Sequence, residues 1–211
     1  MKKIVIVDYG LGNLYSIEQA CIHVGYTPIV SGKKEDVINA DYLILPGVGA
    51  FGVAMQSLKE TGLIDPIKEY AKLGKPLMGV CLGMQLLFEE SEEFGNHKGL
   101  GFIKGKITKF PEYIDNKKIR IPNIGWHKIY PPQDVKWENT PLADIDSDPV
   151  YYIHSYYALP VYKENVLCLS NYNGLEYASG VNEKNIWGFQ FHPEKSGEEG
   201  LTIYRRFLEI K

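Results

Sequence analysis

The chain opens with "KIVIV" (3–7), an unbroken apolar run too short for a helix and without the alternation of a half-exposed strand, so it predicts a strand buried on both faces. Leu14, Ile17, Cys21 and Val24 then recur at helical spacing, and Gly25 supplies the stop. "TPIV" (27–30) and "DYLILPG" (41–47) predict further strands. Two helical stretches follow Gly52, split by Pro66 at a position suited to a first helical turn. "KPLMGVC" (75–81) repeats the buried-strand pattern, and "LGMQLLFEES" (82–91) predicts a helix directly after it. This strand–helix rhythm specifies an α/β fold with a central, mostly parallel twisted sheet flanked by helices. From about Ile103 to Trp187 the pattern changes. Short runs such as "GKITKF", "VYYIHSYYALP" and "VLCLSNY" alternate with turn clusters, which predicts antiparallel strands added to the same sheet. "GEEGLTIYRRFLEIK" closes the chain as a helix, acidic in its first turn and basic near its end, as the helix dipole favours.

Composition narrows the classes. The 211 residues suffice for a single domain over 1–211, and neither repeats nor a linker divide them. A net charge of −3 gives no electrostatic reason to expect nucleic acid or an anionic membrane as partner. Asp8 ends the first apolar run too early for a signal peptide, and no segment is apolar for long enough to span a bilayer, so a cytoplasmic protein is expected. Three widely spaced cysteines form no disulfide framework, and five scattered histidines form no metal-ligand pair. Neither a metal nor another cofactor is expected. "DYGLGN" (8–13) contains Gly-x-Gly, but Tyr15 stands where a dinucleotide fingerprint needs its third glycine.

The candidate chemistry centres on "GVCLG" (79–83). A nucleophile at a sharp strand-to-helix turn needs small neighbours, and the following helix directs N–H groups and its positive end toward the sulfur. A buried packing role for Cys81 fits the same five residues, as it does for Cys21 on the apolar stripe of the first helix. A thiol nucleophile needs a base, and the base an orienting group. "NIWGFQFHPEKS" (185–196) offers both: as a strand it sets Gly188, Gln190 and His192 on one face, with His192 at the strand end and Glu194 able to turn back to it. "LPGVGAFG" (45–52) follows a strand, and its glycines allow a backbone N–H to face a developing oxyanion. It lacks the Gly-Lys-Ser/Thr ending of a phosphate loop. Gln85 lies one helical turn after Cys81 among Leu and Met, where an unpartnered amide is costly, so contact with a polar substrate is expected. His23, His97, His154 and Cys168 read as structural or exposed.

With those residues in place, the sequence resembles the class I (triad) glutamine amidotransferases. "GVCLGMQLLF" is similar to the nucleophile segment of that family and "FHPEKS" to its His/Glu segment. Within the class, "VDYGLGN", "LPGVGAFGVAM", "IPNIGWHKI", "YYIHSYYA" and "GFQFHPEKSG" resemble, in order, the glutaminase subunit of imidazole glycerol phosphate synthase. The resemblance implies a Cys81–His192–Glu194 triad hydrolysing glutamine to glutamate and ammonia. It implies an oxyanion site from Val48, Gly49 and Leu82, with glutamine contacts at Gly49, Gln85, Ser155 and Tyr156. It further implies a (β/α)8-barrel synthase partner in a heterodimer, facing Trp126 and Lys195. One departure stands out: where that subunit reads Pro-His-x-Gly-Trp-Asn, this chain has Pro122-Asn123-Ile124-Gly125-Trp126-His127, histidine and asparagine exchanged. The exchange fits drift in a partner-facing loop, or a paralogue supplying ammonia to a sugar-amidating synthase of surface polysaccharide biosynthesis. A free-standing γ-glutamyl thiol hydrolase, or a non-catalytic relative with Cys81 as a redox sensor, are the remaining readings.

Overall fold

The computed structural model describes residues 2–145 and 149–210, so part of the expected 1–211 domain, including Lys211 of the closing helix, lies outside the described residues. In chain order the first half is β1 (Ile4–Val7), α1 (Leu14–His23), β2 (Ile29–Ser31), α2 (Lys34–Ile38), β3 (Tyr42–Leu45), α3 (Phe51–Glu60), α4 (Ile64–Lys72), β4 (Leu77–Val80) and α5 (Leu82–Leu86). β5 (Phe88–Ser91), β6 (His97–Lys98), β7 (Ile103–Lys109), β8 (Tyr113–Ile114), β9 (Lys117–Lys118), β10 (Asn123–His127) and β11 (Val150–His154) follow. β12 (Tyr156–Pro160), β13 (Val166–Tyr172), β14 (Leu175–Glu183), β15 (Ile186–Phe189) and α6 (Gly197–Glu209) complete the chain.

An 11-stranded sheet runs in the order β2-β1-β3-β4-β15-β14-β12-β7-β5-β6, with β13 paired to β14. β2, β1, β3, β4 and β15 are mutually parallel, and the strands from β14 onward attach mainly antiparallel. The parallel strands are buried throughout at β1, β3, β4 and β15, and their alternate side chains serve two cores. Val5, Val7, Leu43, Leu45 and Leu77 pack with Phe51, Leu58, Ile67 and Tyr70 of α3 and α4. Ile4, Ile6, Ile44, Met78 and Val80 pack on the other face with Ile17 and Cys21 of α1 and with Ile203, Tyr204 and Phe207 of α6. Covering both faces is what a run such as "KIVIV" requires. Each fully buried Leu, Ile or Phe contributes about 1.5–3 kcal/mol.

Two sequence expectations need correction. The helix expected over 82–91 stops at Leu86, and Phe88–Ser91 is a strand that pairs parallel with β7 and antiparallel with β6. Phe88 and Ser91 are buried while Glu89 and Glu90 are exposed, so pairing to a sheet edge outweighs the helix preference of Leu and Glu. The later strands also do not all join one sheet. β10 pairs with β11, and β8 with β9, as separate two-stranded units. "VYYIHSYYALP" is therefore broken at Ser155: β11 belongs with β10, and β12 returns to the main sheet between β14 and β7.

The centre of the sheet positions everything functional. β4 lies between β3 and β15, so the residues after three neighbouring parallel strands emerge at one end, where open α/β sheets present ligands. α5 follows β4 immediately and crosses so close to β3 that a Cβ on Gly83 would overlap the Leu45 carbonyl oxygen. Both partners are backbone, so neither can move aside cheaply. Gly83→Ala is expected to destabilise the fold by about 1–3 kcal/mol or more, lowering the thermal midpoint by about 2–4 °C per kcal/mol in a domain of this size. A midpoint equal to wild type would show that α5 is not pinned there.

Candidate active site

Cys81 occupies the junction of β4 and α5 with φ 53° and ψ −112°, in a region an L-residue rarely adopts. Such a conformation costs about 1–3 kcal/mol and persists only where the surroundings enforce it. Here the Cys81 N–H is held by the Phe189 carbonyl of β15 at 2.7 Å, its carbonyl accepts the Gln85 N–H, and Gly83 seats α5 against β3. The turn throws the side chain out of the sheet into a cavity of about 390 Å³ at the carboxyl end of the parallel strands. Of the three cysteines, Cys21 and Cys168 are packing residues whose thiols burial pushes up to about 12. Cys81 alone lines this cavity.

His192 faces Cys81 from just beyond β15. The strand ends at Phe189, three residues sooner than an alternating run through His192 requires; Gln190 still donates to Ser179 of β14, and the chain then leaves the main sheet. The backbone N–H of His192 then donates to Tyr151 of β11, and Ser196 ties the turn down by donating to the His192 carbonyl while accepting the Tyr151 N–H. His192 Nδ1 lies 2.8 Å from Glu194 Oε1, the two side chains being 4% and 0% exposed. A carboxylate can only accept, so Nδ1 carries the proton and Nε2 is left for the sulfur. Burial alone would lower the imidazole pKa; the hydrogen bonds and negative charge offered by Cys81 and Glu194 outweigh it and raise it to about 10. The imidazole is therefore a charged proton donor at neutral pH, poised against the Cys81 sulfur.

The loop after β3 forms the opposite wall. Val48 and Gly49 line the cavity with Leu82, and among the described residues no acceptor takes the N–H groups of Val48 or Gly49. Leu82 is the first residue of α5, so its N–H also lies outside the helical ladder. Gln85, Ser155 and Tyr156 line the same space, the last two at the kink where β11 gives way to β12. The Gln85 amide is already partnered: Nε2 donates to Gln190 Oε1 at 2.9 Å and to the Tyr156 carbonyl at 3.2 Å. Lys195 reaches the cavity mouth, its Nζ 5.9 Å from the Tyr151 ring centre. Trp126 stands outside the cavity on β10, 52% exposed, its ring edge-on to Tyr151 at 5.7 Å.

Two residues were given no role by the sequence reading. Glu93 lines the cavity with His192, and its carboxylate accepts the Phe51 N–H at the start of α3 at 2.6 Å. Burial raises its pKa, opposed by that hydrogen bond and by nearby His97. Nothing in "FEESEEF" distinguishes Glu93 from its acidic neighbours; the β5 strand does, by setting which carboxylate turns inward. Gln190 is fully buried and joins Gln85 to the site, its Nε2 lying 3.9 Å from Cys81 Sγ. The exchanged pair, Asn123 and His127, also meets in space: His127 Nε2 is 2.8 Å from Asn123 Oδ1. No described group of three or more His, Cys, Asp or Glu side chains is arranged to hold a metal ion.

A nucleophilic thiol, a charged imidazole held by a carboxylate, and free backbone N–H groups across from them suit acyl transfer from an amide. Known proteins agree. The family model for glutamine amidotransferase class-I matches residues 5–210. The imidazole glycerol phosphate synthase subunit HisH of Methanosarcina barkeri is 46% identical over 217 residues, covering all of both chains. Its counterpart in Geobacillus thermodenitrificans is 43% identical, covering all of this chain and 97% of that one. Among solved structures, PurLQS from Thermotoga maritima matches with a TM-score of 0.72 over 99% of this chain and 98% of that one, at 22% identity. A further glutamine amidotransferase matches with a TM-score of 0.72 over 98% and 97% of the two chains, at 17% identity. These two establish the shared fold alone. With a family match over nearly the whole chain and full-length relatives above 40% identity, the chain belongs to the class-I glutamine amidotransferases.

Proposed function

We propose that the protein is the glutaminase subunit of imidazole glycerol phosphate synthase in histidine biosynthesis, a single glutaminase domain over 1–211 with Cys81, His192 and Glu194 as its triad. The observation that carries this reading is the left-handed Cys81 turn facing a Glu194-bound imidazole in one cavity, in a chain similar to HisH over its whole length. The Cys81 thiolate attacks the side-chain carboxamide carbon of glutamine, a C–S bond forms, and the carbonyl electron pair moves onto oxygen. The N–H groups of Leu82 and of the Val48–Gly49 segment take up that charge. As the tetrahedral species collapses, the C–N bond breaks and His192 gives its proton to the departing nitrogen, releasing ammonia and leaving a γ-glutamyl thioester. His192, now neutral, takes a proton from water as that water attacks the thioester; the C–S bond breaks and the thiolate returns. Glu194 holds the imidazole in the required tautomer throughout.

Recognition of glutamine divides among the walls. Gly49, Gln85, Ser155 and Tyr156 contact the substrate, and Glu93 supplies a carboxylate suited to its α-ammonium group. The ammonia passes to a (β/α)8-barrel cyclase subunit docked over the face that carries Trp126 and Lys195. The setting is cytoplasmic, a compartment in which three unpaired cysteines stay reduced. No described helix is long and apolar enough to cross a membrane.

Three outcomes are expected. In the complex with its synthase, Cys81→Ala abolishes glutamine-dependent product formation while synthesis from added ammonia continues; glutamine hydrolysis surviving in that variant would overturn the catalytic assignment. For pH, the imidazole pKa is raised above its ordinary value. Its protonated form, with the stability it confers, is complete below about 6.5 and lost as pH rises through about 10. The alkaline limb of kcat/KM should therefore fall near 10, and Glu194→Gln should move it down; a wild-type limb near 6.5 would contradict the charged-imidazole arrangement. Glu93→Gln should raise the KM for glutamine roughly tenfold with a smaller change in kcat, as loss of a charge-assisted contact made equally in ground and transition states requires. An unchanged KM would remove Glu93 from the substrate site.

A further inference from the structure

A chain of hydrogen bonds leads from the half-buried face of β10 to the substrate turn. Asn123, Gly125 and His127 alternate onto one side of the strand. Gly125 puts nothing between the other two. A Cβ built there would make only ordinary contact with His127 Nε2, at 3.7 Å, and the His127 ring reaches along the strand to Asn123 Oδ1 at 2.8 Å. Asn123 is fully buried and sits directly opposite His154 in the β10–β11 register. Its Nδ2 lies 3.1 Å from His154 Nε2 and 3.3 Å from the Tyr177 hydroxyl. His154 Nδ1 is in turn 2.8 Å from the Tyr156 carbonyl.

The Tyr177 hydroxyl also lies 3.3 Å from His154 Nε2, and with both rings neutral one arrangement of protons carries the chain from end to end. The Tyr156 carbonyl can only accept, so His154 Nδ1 donates. A neutral His154 then has Nε2 as an acceptor, which Asn123 fills with its NH2 group, leaving Asn123 Oδ1 to accept from His127 Nε2–H. Burial lowers the His154 pKa to about 4 and that of His127 below its ordinary value, so both rings are held in the neutral form the chain demands. The far end matters because the Tyr156 carbonyl also accepts from Gln85, which is bonded through Gln190 to the vicinity of the Cys81 sulfur.

We infer that Asn123 and His127 are positioning residues for glutamine hydrolysis: acting through neutral His154, they hold the Ser155–Tyr156 turn and its carbonyl in place beside Cys81. Neither lines the cavity; the effect is carried by the hydrogen bonds. The inference rests on the glutaminase reading.

The His127 ring also packs against Tyr152 and Tyr172, with centroids 5.6 and 5.5 Å away, so the two roles must be separated. His127→Phe keeps the ring and removes the N–H donor. His127→Gln keeps an N–H donor and removes the ring. The full chain, with its synthase bound, is assayed for KM and kcat on glutamine, and Cys81 alkylation by iodoacetamide is timed without glutamine. The His127→Phe variant should show KM raised about tenfold with the alkylation rate unchanged, and a modestly lowered thermal midpoint because buried Asn123 Oδ1 loses its donor. The His127→Gln variant should retain the wild-type KM. An unaffected Phe variant overturns the inference, as does impairment of the Gln variant alone, which would mark ring packing as the cause. Slowed alkylation in the Phe variant also overturns it, because the effect would then reach the thiol and not the substrate turn. A wild-type complex without glutaminase activity would defeat the functional reading itself, whereas an active wild type with an unaffected Phe variant defeats only the relay.

Discussion

The structure depends on one close approach, that of the α5 backbone to the end of β3. Gly83 lies so near the Leu45 carbonyl that the helix can start only where it does, directly after β4. That start leaves Cys81 no ordinary conformation and forces it into the left-handed region. The strained turn is paid back by packing on both sides: α5 contributes Met84 and Leu86 to one core, while β4 contributes Met78 and Val80 to the other.

The same constraint organises the electrostatics. Because β4 sits between β3 and β15, the loop after β3 brings backbone N–H groups to one side of the sulfur, and the turn after β15 brings an imidazolium to the other. Burying that imidazole is unfavourable in isolation. The Glu194 carboxylate and the Cys81 sulfur reverse the balance, so the imidazole is held charged in a buried site. Around it several polar side chains partner one another: Gln85 with Gln190, Asn123 with His154 and His127. A buried network of this kind is stable only when every member is satisfied, and each partner here limits where the others can point.

Much of this was legible in the chain. Four-residue apolar runs predicted strands covered on both faces, and "GVCLG" and "FHPEKS" offered a candidate nucleophile and base that the fold brings to one cavity. Gln85 was picked out as a buried amide in need of a polar partner; the fold supplies Gln190 and the Tyr156 carbonyl to its NH2 group while leaving the residue on the cavity wall. Phe88–Ser91 read as helix because local propensity says so, and it became a strand because β7 and β6 offered it hydrogen bonds that only the folded chain brings near.

The sequence by itself determined the α/β architecture, the strand ends at which chemistry could reside and the residue types able to perform it, since periodicity and reactivity are local properties. Tertiary structure alone decided that Glu93, and not its acidic neighbours, faces the cavity. It likewise decided that "VYYIHSYYALP" breaks at Ser155 and that Asn123 meets both His127 and His154. Those outcomes depend on contacts between residues far apart in the chain, whose energies exist only once the sheet order is set.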